Sequence, residues 1–232
     1  MTSDELKITK EKVIFMLVFI ALGIIALQIP VNVLAGAKVK FTLFDLFAPI
    51  SGAFLGTGIG AVAVVAMYVI NLAWHGFAGV NQSNPLTLVA TLRLLPLIAG
   101  VWYFSGKNRY SLLIPALAII SFNLHPQGMK AWYYSLFWLI PFAVWPLRNK
   151  YLVARSLGST FTAHAAGGAL WIWAFNLPAP VWISLIPTVI LERSIFALGI
   201  SASYIFMTNV TSFLTSHGVI LKGVTYEKYS IK

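Results

Sequence analysis

The sequence predicts an all-α polytopic integral membrane protein, a bundle of six to eight transmembrane helices, on three observations. Hydrophobic residues make up 59% of the chain and charged residues 9%, whereas soluble domains carry about 25% charged residues. The apolar segments approach the ~20 residues that a membrane helix needs and lack the ~10-residue alternation of barrel strands. Of the 16 Lys and Arg, all but Arg93 and Arg193 lie in tails and short loops between apolar segments. That placement is the footprint of topology-setting charge and not of a nucleic-acid surface. With Cys 0, disulfides and thiol chemistry are excluded.

The first apolar segment, 13–34, follows Lys7, Lys10 and Lys12 and ends at Ala35, Gly36 and Ala37. A cleavable signal has an apolar core of about 7–15 residues, so a retained helix is expected. The second, "FTLFDLFAPISGAFLGTGIGAVAVVAMYVINLAW" from Phe41 to Trp74, carries Asp45 as its single charge. It reads either as one over-long helix or as two short ones folded back. Gly56, Gly58 and Gly60 each cost about 1 kcal/mol against Ala inside a helix, which favours a fold. Gly52, Gly56 and Gly60 also stand at i, i+4 and i+8, a ridge on which a neighbouring helix or partner docks closely.

Basic residues leave the choice open. A continuous helix gives seven crossings, with Lys7, Lys10, Lys12 and Lys130 outside and the other loop and tail bases inside. A hairpin gives eight crossings, with Lys38, Lys40 and Lys130 outside.

Further apolar segments follow at 86–104, 111–124, 131–147, 157–177 and 181–207, parted by "HGFAGVNQSNP", "SGKNRY", "HPQGMK", "RNKYLVAR" and "NLPAP". The organisation expected is a cytoplasmic segment 1–12, one transmembrane domain 13–207, and a polar, solvated tail 208–232.

The run "KVKFTLFDLFAPISGAFLGTGIGAVAVVAMYVINLAW" resembles the substrate-binding (S) components of energy-coupling factor transporters. Phe41, Asp45, Pro49, Gly52, Gly56 and Gly60 carry the likeness, which spans roughly residues 10–110 and includes the basic loop "GKNR". The resemblance implies that 41–74 is a hairpin folded at its glycines, in a multi-pass protein of a prokaryotic cell membrane. It also implies capture of a vitamin or similar micronutrient near the outer surface, under the loop 36–40. The partners implied are the small-molecule substrate, a transmembrane coupling subunit and two ATPase subunits in other chains, with no catalysis by this chain. Members usually have six helices, and this chain reads as seven or eight.

Two glycine patterns carry no nucleotide chemistry. Gly100 to Asn108 echoes a P-loop, but with five residues between its glycines and Asn where Ser or Thr belongs, and it leaves a helix and not a strand. "GTGIG" lacks the third spacing of a dinucleotide fingerprint. His75, His125, His164 and His217 show no ligand spacing, so neither metal nor cofactor is expected.

Ionisable groups within apolar segments are costly, about 2.5–3.5 kcal/mol for a central charge, and should face the interior or pair. They are Arg93, His164, Glu192 and Arg193. His164 and Glu192 stand symmetrically about Pro178. Antiparallel helices joined there would place them at one depth, within reach of one another. Arg193, about 100° from Glu192 around the helix, is expected to face elsewhere, toward a lipid head group or a partner. Arg93 lies about 12 Å below the outer surface, where it would meet either an anionic or carbonyl group or Asp45. Asn71, Trp74, His75, Asn84, Asn123 and His125 would gather at the outer mouth of the eight-crossing arrangement. Amides and aromatics there suit a small ring-bearing solute. Two other classes of function fit the same residues. One is a scaffold docking partners through the faces of Gly52, Gly56 and Gly60. The other is a membrane-embedded enzyme using His164 and Glu192 as a base pair.

Overall fold

The structure, a computed structural model, describes residues 10–33, 40–74 and 85–217. His75, Asn84, most of the loop 36–40 and the tail beyond 217 lie outside the described residues. The chain is all-α apart from a short antiparallel ribbon, in which β1 (Pro30–Val33) pairs with β2 (Lys40–Thr42).

Helix α1 (Lys10–Leu27) leads to this ribbon. The chain then turns back through α2 (Leu43–Phe47), a 3₁₀ turn (Ala48–Ile50) and α3 (Ser51–Leu55). It reverses at Gly56, whose φ of 89° is open only to a residue without Cβ, and rises again as α4 (Thr57–Trp74). Residues 41–74 are thus two arms folded at a glycine. Gly52 and Gly60 face one another across the fold: a Cβ on Gly60 would lie 2.5 Å from the Gly52 backbone. Ser51 Oγ donates to the Gly60 carbonyl at 3.2 Å. Gly52 and Gly60 are buried against one another, so these two members of the ridge pack within the hairpin, while Gly56 at its turn is partly exposed.

Helix α5 (Pro85–Ser105) descends beside the hairpin; Ser105 Oγ donates to Val101 O at 2.6 Å and so accepts from the Thr57 hydroxyl at 3.1 Å near the glycine fold. Helices α6 (Leu113–Leu124) and α7 (Pro126–Lys130) carry the chain to the ribbon end. The next segment returns as a broken helix: a 3₁₀ stretch (Trp132–Leu139), α8 (Ile140–Val144) and a second 3₁₀ turn (Trp145–Leu147). Pro141 and Pro146 lack the N–H that a regular helix would use there. Helix α9 (Leu152–Phe175) rises through the centre, Asn176 closes it in the left-handed conformation, and α10 (Ala179–Ser184) and α11 (Ile186–Ser216) complete the bundle. Helix α11 runs on to Ser216 with Thr211 buried, so the expected polar tail from Thr208 begins as packed helix. Tyr204 of α11 packs at a tilt against Phe54 and Phe104, where Phe15 of α1 also meets Phe54.

The C-terminal end of α5 shows how arginine serves this fold. The last carbonyls of a helix lack intrahelical partners. Arg148 meets them with Nη1 to Gly106 O at 2.6 Å and Nη2 to Tyr103 O at 2.7 Å. Arg155 Nε donates to Phe104 O beside it. Both cations also favour the negative end of the helix dipole.

Buried apolar side chains form two cores. One gathers Phe15, Phe19, Phe47, Phe54, Met67 and Phe104 from α1 to α5, together with Ile200 and Tyr204 of α11. The other gathers Phe122, Tyr134, Trp138, Phe161, Ile172 and Trp182, with Val189 of α11. Helix α11 therefore passes from one core to the other between Val189 and Ile200.

Two helices, Thr57–Trp74 and Ile186–Ser216, are long and apolar enough to cross a membrane; Val13–Leu27, Leu43–Leu55, Leu92–Ser105 and Arg109–Leu124 are apolar but shorter.

Candidate functional site: a charge cluster at the seam between the cores

Glu192 and Arg193 lie on the stretch of α11 between the two cores, buried to 3% and 6% exposure. Arg193 Nη2 stands 3.5 Å from Glu192 Oε2 and its Nη1 3.4 Å from Thr160 Oγ1 of α9. The expected separation of these neighbours fails for a plain reason. A 100° offset at the backbone does not prevent a long, flexible guanidinium side chain from curling back along the helix.

Across the seam, Asp45 of α2 divides its two oxygens. Oδ2 accepts the N–H of Thr42 at 2.8 Å, closing the start of the helix, and Oδ1 faces Arg93 Nη2 of α5 at 3.6 Å. Of the two partners weighed for Arg93, the structure thus supplies Asp45. The Phe41 ring lies between the guanidiniums, 5.8 Å from Arg93 and 5.4 Å from Arg193, with Phe196 edge-on at 5.1 Å. Side-chain exposure of 25% at Arg93 and 11% at Asp45 marks the open side of the cluster.

His164 does not reach Glu192. Its Nε2 is 3.0 Å from Tyr134 Oη, and its Nδ1 accepts from Trp138 Nε1 at 3.1 Å. With both ring nitrogens engaged, none is left for a carboxylate. The broken helix 132–147 packs on this face of α9 and takes the histidine, while the neighbour of Glu192, Arg193, meets α9 one turn earlier, at Thr160. The approach of the broken helix needs Gly168, where a Cβ would lie 2.5 Å from the Trp138 ring.

Of the residues expected at the outer mouth, His75 and Asn84 lie outside the described residues, and the described ones divide between the two cores. Asn71 of α4 accepts from Gln28, in the turn after α1, at 2.8 Å, on the side of the first core. Asn123 donates to Ser135 Oγ at 2.9 Å, and His125 caps the Gln127 N–H and packs against Trp173, on the side of the second core. Trp74 is 83% exposed. Their sequence signal was polarity near helix ends, which capping and interhelical bonding satisfy equally well.

Phe41, Tyr134, Trp138 and Thr160 were not anticipated. Tyr134 and Trp138 sit in 3₁₀ structure that breaks helical periodicity, and their aromaticity passes for an interfacial belt. No protein-family model, no curated protein and no solved structure matches the chain. The site is read on its own geometry.

The contrast with the other arginines is informative. Arg148 holds carbonyls at 2.6–2.7 Å, within the range of strong charge-assisted bonds. Arg93 stands 3.6 Å from Asp45, and Arg193 3.5 Å from Glu192, ion pairs that offset part of the cost of taking charge out of water.

Proposed function

We propose that the chain is the membrane-embedded substrate-capture subunit of an uptake transporter of the energy-coupling factor type, taking a vitamin or similar small micronutrient. The observation that carries this reading is the gathering of two ion pairs, Asp45 with Arg93 and Glu192 with Arg193, inside an apolar bundle and beside the Phe41 ring. Membranes tolerate such groups where they line a substrate path. The bundle is also inverted relative to a soluble fold. Serines and threonines such as Ser51, Ser156, Ser159, Thr160 and Thr162 are buried, while Leu113, Leu117, Ile120 and Leu124 form an exposed apolar stripe along α6. Lipid accommodates both features.

In this reading the strokes of the bundle cross the bilayer eight times, with the glycine fold and the basic residues Lys107, Arg109, Arg148 and Lys150 on the cytoplasmic side. Asp45, Arg93 and Arg193 then sit in the outer half, below the ribbon. The glycine patterns of the sequence lack a nucleotide fingerprint, and in this reading uptake energy comes from a coupling subunit and an ATPase pair. The scaffold reading loses its main support, because Gly52 and Gly60 are consumed within the hairpin. The enzyme reading loses its base pair, because His164 is held by Tyr134 and Trp138.

The test is a thermal-shift screen of the detergent-solubilised protein against a vitamin panel, paired with pull-down from native membranes. A saturable shift and recovery of an ATPase pair are expected. A chain that isolates alone and answers to no solute overturns the proposal.

A further inference from the structure

Exposed cations gather at the glycine-fold end of the bundle, and a buried one holds them there. Arg148 donates to the Gly106 carbonyl at 2.6 Å and lies 4.2 Å from the centre of the Trp145 ring. That contact pins the turn after α5 to the turn before α9. On the first turn, exposed Lys107 follows Gly106, and exposed Arg109 opens the 3₁₀ turn (Arg109–Leu112) that leads into α6. On the second, the N–H groups of Lys150 and Tyr151 both bond the Leu147 carbonyl, at 3.0 and 2.9 Å. Arg148 directs its charge at carbonyls inside the fold, whereas Arg109 and Lys150 reach the surface.

Arg109 and Lys150 are set against no carboxylate among the described residues. The acidic side chains described, Asp45 and Glu192, are paired at the seam between the cores. Lys150 stands 5.2 Å from the Tyr151 ring, a contact that orients the ammonium without neutralising it. The surface around these cations is apolar. Tyr110 is 64% exposed and Tyr151 50%, amphipathic rings of the kind that sit at a membrane–water boundary. The exposed stripe of Leu113, Leu117 and Ile120 begins four residues beyond Arg109.

Cations at the head of an apolar stripe complement a molecule with an anionic head and hydrocarbon tails. A free anion or an acidic peptide would leave the stripe unanswered. We propose that this end of the bundle docks an anionic phospholipid, with its phosphate against Arg109 and Lys150 and an acyl chain along Leu113 and Leu117. Arginine suits the position because its planar fork meets two phosphate oxygens at once. Basic groups between helix ends on one side of a membrane recognise anionic head groups in this way. The inference needs the bundle to cross a membrane and is independent of solute capture.

The experiment is native mass spectrometry of the full chain released from micelles doped equally with phosphatidylglycerol and phosphatidylcholine. Wild type is compared with Arg109→Gln, Lys150→Gln and their double variant, and with Lys130→Gln, which removes an exposed cation at the opposite end. Wild type should retain phosphatidylglycerol in preference to phosphatidylcholine. That preference should fall about fivefold in each single variant and on the order of thirtyfold in the double, the equivalent of about 1 kcal/mol per surface cation. Lys130→Gln should keep it, and millimolar inorganic phosphate should not displace the lipid. Equal retention of both lipids by wild type, an unchanged preference in the double variant, or an equal loss in Lys130→Gln overturns the proposal. Displacement by inorganic phosphate would assign the cations to a free anion and overturn the lipid surface.

Discussion

Arg148 and Arg193 are both buried arginines, and the difference between them separates structure from site. Arg148 closes the end of α5 by donating to the carbonyls of Tyr103, Phe104 and Gly106. Arg148→Ala should therefore destabilise the solubilised protein by several kcal/mol, since each charge-assisted bond contributes about 1.5–3 kcal/mol. Arg148→Lys should recover only part, because an ammonium cannot reproduce the planar fork. Thermal unfolding of the two variants checks this, and equal stability of Arg148→Ala and wild type would refute the capping role. His164 and Glu192 make a second test at this scale. Because His164 is bonded to Tyr134 and Trp138, the cycle of His164→Asn and Glu192→Gln should be additive within about 0.5 kcal/mol. The cycle of His164→Asn with Tyr134→Phe should show coupling on the order of 1 kcal/mol. Coupling in the first cycle and not the second would reverse the assignment.

At the scale of elements, the hairpin 41–74 turns on three glycines with different jobs. Gly56 holds the positive φ, Gly60 the close approach to Gly52, and Gly58 meets nothing within 4 Å of a built Cβ. Gly58→Ala should thus be neutral or stabilising by up to about 1 kcal/mol, the helix-propensity difference. Gly60→Ala sets a methyl against backbone that cannot rotate away, and should cost about 1–3 kcal/mol as an overpacked contact. The pair is read by the midpoint of thermal unfolding. Similar costs at Gly58 and Gly60 would mean that the arms do not pack as described. Glycine spacing and Pro49 made a break in this segment legible, but the same spacing described an intact ridge equally well. Which one occurs depends on whether α5 and α1 flank two arms or one, and that is a property of the bundle.

For the whole molecule, the strokes of the chain place Gly58, Lys107 and Lys150 at one end and Lys130 at the other. All are exposed, and the absence of cysteine gives a clean background for single-cysteine labelling. In intact cells, Lys130→Cys should react with an impermeant maleimide, while Gly58→Cys, Lys107→Cys and Lys150→Cys should react only after permeabilisation. Labelling of Gly58→Cys and Lys130→Cys from the same side would dismantle the eight-crossing arrangement.

The sequence by itself determined the all-α class, because apolar runs of helical length are read as a sum over residues that needs no knowledge of neighbours. Two of the resulting helices, Thr57–Trp74 and Ile186–Ser216, are long and apolar enough to cross a membrane. The sequence also determined that residues 41–74 contain weak points and that Asp45 was among the two partners open to Arg93. The tertiary structure alone decided who meets whom. His164 went to Tyr134 and Trp138 instead of Glu192, Arg193 curled back to its own neighbour, and Phe41 came to lie between two arginines. The reason is physical. Depth along a helix follows from residue count, but the azimuth at which a third element packs does not. Here that element is the proline-broken stretch 132–147, whose mixed 3₁₀ and α turns follow no single period from which its inward face could be read.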